Sequence, residues 1–137
     1  MIYFFTEDIT FNLSQKQQTK FWLKLLVENE GKELKALSVI FCSDAYLLKI
    51  NRQYLQHDYY TDVITFDYTE GEKIAGDIFI SLDTVRANAV AYKQVFEKEL
   101  FRVMAHGVLH LCGYDDKTPS LRKQMREKEN FYLARFS

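Results

Sequence analysis

The stretch "HGVLHLCGYDD" (residues 106–116) carries two of the chain's three histidines, four positions apart, then a glycine and a pair of carboxylates. Upstream, "FEKELFRVMAHGVLHLCG" (96–113) repeats apolar residues at helical spacing, with Leu100, Met104 and Leu111 as core candidates and Gly113 as the stop;. An α-helix turns once in about 3.6 residues, so His106 and His110 share a face and their imidazoles can converge on one ion. Two ligands on one helix leave a site incomplete. Gly113 can take the left-handed conformation that reverses the chain, and Asp116, three residues on, can then bring a carboxylate to the same ion.

Two imidazoles and one carboxylate leave a fourth position open for water, the pattern of catalytic rather than structural zinc. Bound zinc lowers the pKa of water from about 15.7 to about 7, so metal-bound water is the expected nucleophile and no side chain is assigned as the catalytic group. The spacing His-x-x-x-His-x-x-Gly-x-x-Asp is similar to the ligand skeleton of metzincin peptidases, whose third ligand is usually His. Zinc peptidases place a Glu directly after the first His as general base, and Gly107 stands there;. That weakens a peptidase reading. The plainer alternative is a packed histidine pair, with Asp115 and Asp116 solvating a turn. Cys112 points to another helix face and reads as core. His57, in a polar loop, stays open as a third ligand or a substrate contact.

The chain has 137 residues, 47% hydrophobic and 27% charged, which fits one soluble domain spanning 1–137;. Its formal net charge of −1 provides no global basic field for nucleic acid, although a local basic face would be invisible in the sum;. Cys42 and Cys112 lie far apart and read as reduced thiols of a cytosolic protein;. "MIYFFTEDITFNL" lacks the basic start of a signal peptide, and no apolar run approaches a membrane span;. A cytoplasmic protein without membrane contact is expected.

Working outward, "MIYFF" predicts an edge strand, "ALSVIFC" a second, "TDVITFDY" a third and "GDIFIS" a fourth, the last two joined by the polar "TEGEKIAG";. "SQKQQTKFWLKLLVENEG" predicts a helix capped by Ser14 and Gln17 and stopped by Gly31, with Phe21, Trp22, Leu25 and Leu26 as its buried stripe;. "SDAYLLKINRQYL" predicts a short helix capped by Ser43, with Leu47, Ile50 and Tyr54 on one face. "LDTVRANAVAYKQV" places Leu82, Val85, Ala89 and Tyr92 at helical spacing. "TPSLRKQMREKENFYLARF" has Thr118 as cap, Pro119 in the first turn, and Leu121, Met125 and Tyr132 facing inward;. Strands and helices first, helices alone afterwards, predict an α+β layer domain.

Three blocks now stand in order: "NRQYLQHDYYTDVITF" (51–66), "GDIFIS" (76–81) and "HGVLHLCGYDD" (106–116). Together they resemble the YbeY family of endoribonucleases, the bacterial rRNA maturation factors. The usual family pattern runs Asn-x-x-Tyr-Arg, Thr-Asp-Val-Leu-Ser-Phe, Gly-Asp-Ile and His-Gly-x-Leu-His-Leu-x-Gly-Tyr-Asp-His. The resemblance implies a single compact α+β domain, a small mixed four-stranded sheet packed with about five helices, and a metzincin-like metal helix. It implies one zinc ion per chain, held by His106, His110 and Asp116. It also implies a metal-dependent, single-strand-specific endoribonuclease acting at the 16S rRNA 3′ end and in ribosome quality control, with rRNA and the small ribosomal subunit as partners.

Two departures from the pattern bear on chemistry. Asp116 stands where the family usually has His, and its added negative charge makes the ion a weaker Lewis acid and widens metal choice toward harder ions;. Leu55 stands where the family has an Arg thought to meet substrate phosphate, a bidentate contact that leucine cannot make;. Arg52 and His57 are the expected substitutes in substrate binding. Thr61 and Asp62 match the family block but read first as residues that begin a strand and satisfy local backbone groups, and Asp77 reads as a turn residue entering a strand;. Arg102 and Lys98 are further cations near the site, or a solvated helix face. Leu55 and the near-neutral charge keep open a non-catalytic, zinc-containing ribosome-associated maturation factor.

Overall fold

The first strand, β1 (Ile2–Thr6), is carried by helix α1 (Lys16–Asn29) to a parallel neighbour, β2 (Glu33–Cys42). Helix α2 (Asp44–Leu55) leads to β3 (Val63–Asp67), which turns back antiparallel against β4 (Lys73–Ser81). Helices α3 (Leu82–Ala91), α4 (Phe96–Leu111) and α5 (Pro119–Leu133) follow. The sheet order is β1-β2-β4-β3, with β2 and β4 parallel, so the sheet is mixed. This computed structural model describes residues 1–57 and 61–136; residues 58–60 of the first motif block lie outside the described part.

Strand periodicity of two sends alternate side chains to opposite layers. Leu37, Val39 and Phe41 of β2 and Ile74, Ile78 and Ile80 of β4 join the main core with α1, α4 and α5. Cys42 and Ile64 face the other way and meet Leu47 and Ile50 of α2 in a smaller core. Two glycines let α4 settle on the sheet. A Cβ at Gly107 would lie 2.9 Å from two Ile78 carbons, and one at Gly76 would lie 2.8 Å from a Leu111 methyl.

Several expectations shift in detail. Helix α1 buries Thr19, Trp22, Leu23, Leu26 and Val27, leaving Phe21 and Leu25 exposed. The rotation follows from Trp22, whose Nε1 donates to the Tyr132 carbonyl at 2.8 Å while its ring meets Phe101 and Phe136 edge-on. The helix begins after Gln15, held left-handed at φ 58°, and Thr19 closes the first turn onto the Gln15 carbonyl rather than Ser14 capping it. Strands β2 and β4 start three residues earlier than their apolar cores indicate, where Lys32–Glu72 and Lys35–Glu70 ion pairs line their charged ends. Tyr54 and Tyr92 are exposed, and Asp77 sits mid-strand between Ser38 and Phe66. Ser43 and Thr118 cap α2 and α5 as expected.

Candidate metal centre

Helix α4 buries Leu100, Val103, Met104, Ala105, Val108, Leu109 and Leu111, and leaves His106 and His110 half-buried. After the helix, Gly113 takes φ 107°, and the Tyr114 amide donates back to the Leu109 carbonyl at 3.0 Å. This closure is the one a glycine allows without a Cβ penalty, and it sends Asp116 back toward the two imidazoles. The Nε2 atoms of His106 and His110 lie 3.0 Å apart, and Asp116 Oδ2 lies 3.3 Å from the first and 3.6 Å from the second.

The hydrogen-bond partners decide what those atoms are. His110 Nδ1 meets the Tyr114 carbonyl at 3.0 Å, and a carbonyl only accepts, so Nδ1 carries the proton;. His106 Nδ1 meets Glu129 Oε2 at 2.7 Å and likewise donates to a carboxylate;. Both Nε2 atoms of the neutral rings are therefore lone pairs, aimed at each other and at a carboxylate oxygen. Such a cluster repels itself unless a cation, a proton or a metal ion, sits within it. Ligand atoms of a tetrahedral zinc site, with bonds of about 2.0–2.1 Å, lie about 3.3 Å apart, which these three separations straddle. The donor set fits a metal ion.

A second layer holds the first. Glu129, on α5, also takes Arg102 Nη1 at 3.1 Å, and Arg102 Nε faces Glu99 at 3.9 Å. Burial alone would push the His106 imidazole toward a lower pKa; the hydrogen bond to Glu129 and the charges of Glu129, Asp116 and Asp62 outweigh it and raise it. Burial raises Glu99, against the pull of Arg102. Farther out, Tyr114 donates to Glu30 Oε1 at 2.6 Å, Lys128 reaches Glu30 Oε2 at 3.3 Å, and Tyr132 also donates to Glu30. The turn that delivers Asp116 is thus tied to both α1 and α5.

The triad opens onto a cleft of about 540 Å³ whose far wall is the end of α2 and β3. Leu55, His57, Thr61 and Asp62 line it. Burial pushes the Asp62 carboxyl up, while the His106 imidazole pulls it down. His57 is exposed at the rim, and Arg52 is exposed in the last turn of α2, outside the described lining of the cleft. Cys112 packs against the main core, and burial pushes its thiol up to about 12, consistent with a core role. Arg102 is held in its buried ion pairs, and Lys98 is exposed.

A family profile described as "Endoribonuclease YbeY" matches residues 2–137. The chain belongs to the YbeY family. A protein of Parabacteroides distasonis with that name is 53% identical over 97% of this chain and 94% of its own length. One from Phocaeicola vulgatus is 51% identical over the whole chain and 99% of its own. The solution structure of a Thermotoga maritima protein is similar with a TM-score of 0.68 at 32% identity, covering 97% of this chain and 87% of its own.

Within this YbeY domain the structure joins His106, His110 and Asp116 as the sequence spacing implies. It adds Glu129, which sequence reasoning missed, and it shows Asp62 in both guises: directly before β3 with its carboxylate on the local Asp62 and Val63 backbone, and lining the cleft with His106. Glu129 had a signal. It falls on the stripe of Met125 and Tyr132, and a glutamate on a buried stripe requires a partner;. The peptidase reading is weakened further, because a side chain at residue 107 would run into Ile78 of the sheet.

Proposed function

We propose that this chain is a metal-dependent endoribonuclease that cuts single-stranded RNA in rRNA maturation. Support comes from family membership and from one observation above the rest: three lone-pair donors converging at the edge of an open cleft. Residues 1–137 act as one hydrolase domain, and His106, His110 and Asp116 hold one Zn²⁺ per chain. The reading includes the 16S rRNA 3′ end as the site of action, the small ribosomal subunit as partner, ribosome quality control as a linked task and the cytoplasm as location. No described helix is long and apolar enough to cross a membrane.

When bound, the ion supplies Lewis acidity toward a phosphoryl oxygen and acidifies water. The chain's own groups do the rest. Glu129 and the Tyr114 carbonyl hold the two imidazoles in the tautomer that leaves Nε2 free;. Asp62, its carboxyl pushed up by burial, stands beside His106 where a proton must be accepted or returned;. His57 at the rim and Arg52 on α2 meet the RNA backbone.

The test compares cleavage of single-stranded RNA by the protein and its His110→Ala variant after rigorous nuclease removal, with zinc measured by elemental analysis. About one zinc per chain, with cleavage lost in the variant, is expected. Equal cleavage by both overturns the enzyme. Leu55 in the cleft wall favours a second reading, a metal-ordered ribosome factor that does not cut; zinc binding without cleavage by either protein would establish it.

A further inference from the structure

The metal triad stands on a ridge between two openings. The main cleft lies on the α2–β3 side, and a smaller hollow of about 180 Å³ lies among α3, α4 and α5. Asp62, His106 and Asp116 line both. A strand crossing the ion from the cleft would pass into that hollow, whose wall carries Arg102, Arg122 and Arg126.

These three arginines are not equivalent. Arg102 is 14% exposed and is held between the buried Glu129 and Glu99. Arg126 reaches Glu129 through Nε at 4.0 Å but is 58% exposed. Arg122 is exposed, and its Nη1 donates to the Asp116 carbonyl at 3.4 Å, which fixes its guanidinium next to the third metal ligand. Residues 122 and 126 are four apart on α5 and share one face. They lie in "KTPSLRKQMR" (117–126), which has four basic residues and no acidic one in a chain of net charge −1. Asp62, Glu99, Asp116 and Glu129 also line the hollow; Arg102 and a divalent ion on the triad would offset part of that charge, and the outer pair, exposed to solvent, is the part of the wall an anion can reach.

We propose that Arg122 and Arg126 bind the RNA phosphate next to the one that is cut, so that the strand runs over the ion from the cleft into the α3–α5 hollow. The inference rests on the endoribonuclease reading. Guanidinium forks suit phosphate oxygens, and a contact to the neighbouring phosphate positions the strand without reading its sequence. It also places cations opposite Leu55, on the wall that the metal ligands themselves define.

The test is binding of a fluorescent 2′-O-methyl oligouridylate, followed by anisotropy across a salt series, with the probe's integrity checked afterwards. The metal-loaded protein is compared with Arg122→Gln/Arg126→Gln and with Lys16→Gln/Lys24→Gln, an equal charge change on exposed α1 residues. The arginine pair should weaken binding about tenfold and flatten the salt dependence by about 0.7 in log–log slope per lost contact. The lysine pair should do neither, and zinc content and melting temperature should stay as in the parent. Equal binding by the arginine variant, or an equal loss in the lysine variant, overturns the subsite while leaving the nuclease intact. No binding by the parent protein overturns the endoribonuclease reading itself.

Discussion

The two walls of the cleft are built differently. On one side, α4, its glycine turn and α5 are bound into each other: His106 to Glu129, Glu129 to Arg102, and Tyr114 to Glu30, which Lys128 and Tyr132 also reach. On the other side, residues 52–57 at the end of α2 are all exposed, and Gln56 leaves the helix left-handed at φ 57°. Packing sets the first wall before any ligand arrives. At the second, the side chains of residues 52–57 face solvent, where a ligand can reach them. The difference fits the proposed tasks: metal ligands need positions held within a fraction of an ångström, and a polynucleotide backbone does not.

Removing a side chain from each wall gives the largest expected contrast. Glu129→Gln should lower zinc affinity about 10–100-fold, because a ligating imidazole loses the partner that orients it. Glu129→Ala, which also strands Arg102, should cost about 3–5 kcal/mol of stability. His57→Ala should leave zinc affinity unchanged. Chelator competition and denaturant unfolding read these outcomes. Equal loss of zinc in His57→Ala would abolish the distinction between the walls.

The close approach of α4 to the sheet comes next. Gly107→Ala adds a methyl 2.9 Å from Ile78, overpacking a core that the helix preference of alanine only partly offsets, for a net cost of about 1–2 kcal/mol;. Unfolding in urea measures it. Zinc content per folded molecule should hold, since His106 and His110 lie on another face of the helix. A gain of stability would mean that the helix sits less tightly than the distances state.

These same elements show why part of the molecule was legible from sequence. His106, His110, Gly113 and Asp116 are local: one helix, one cap, one turn, each with its own rule. The four strands and the helices were legible from periodicity for the same reason. The phase of α1 was not, because "FWLKLLV" is apolar on more than one face and the choice is made by a hydrogen bond to Tyr132, 110 residues away. Glu129 lies 23 residues from His106, so its place on the Met125–Tyr132 stripe signals a buried carboxylate but not which partner it meets. The far wall was legible only through family resemblance, since exposed residues carry no pattern that packing imposes.

The Glu30 network gives a smaller, pH-dependent effect. Burial raises the Glu30 carboxyl, but hydrogen bonds from Tyr114, Tyr132 and Lys128 and the charge of Lys128 outweigh it and hold its pKa below the ordinary 4.5. The folded value lies below the unfolded one, so the stabilisation is present above about pH 4.5 and is lost as pH falls through the folded value. Glu30→Gln should cost about 1–2 kcal/mol at neutral pH, and its deficit against the parent should shrink in acid. Denaturant midpoints at a series of pH values test this. A deficit that persists unchanged at low pH would assign the loss to packing rather than to the charge.

The smallest effect should come from adding to the open wall what it lacks. Leu55 is 39% exposed and lines the cleft, so Leu55→Arg removes little burial and can direct a guanidinium toward a bound phosphate;. Stability should change by less than about 0.5 kcal/mol, as for most surface substitutions. Affinity for single-stranded RNA should rise about threefold, with a steeper salt dependence, as one phosphate contact is gained. If the arginines of α5 already position the strand, the gain should appear in KM while kcat stays level, because the new contact binds ground and transition states alike. If Leu55→Arg instead raises kcat strongly, the open wall takes part in the chemical step, and the division between a wall that holds the metal and a wall that meets the strand no longer stands.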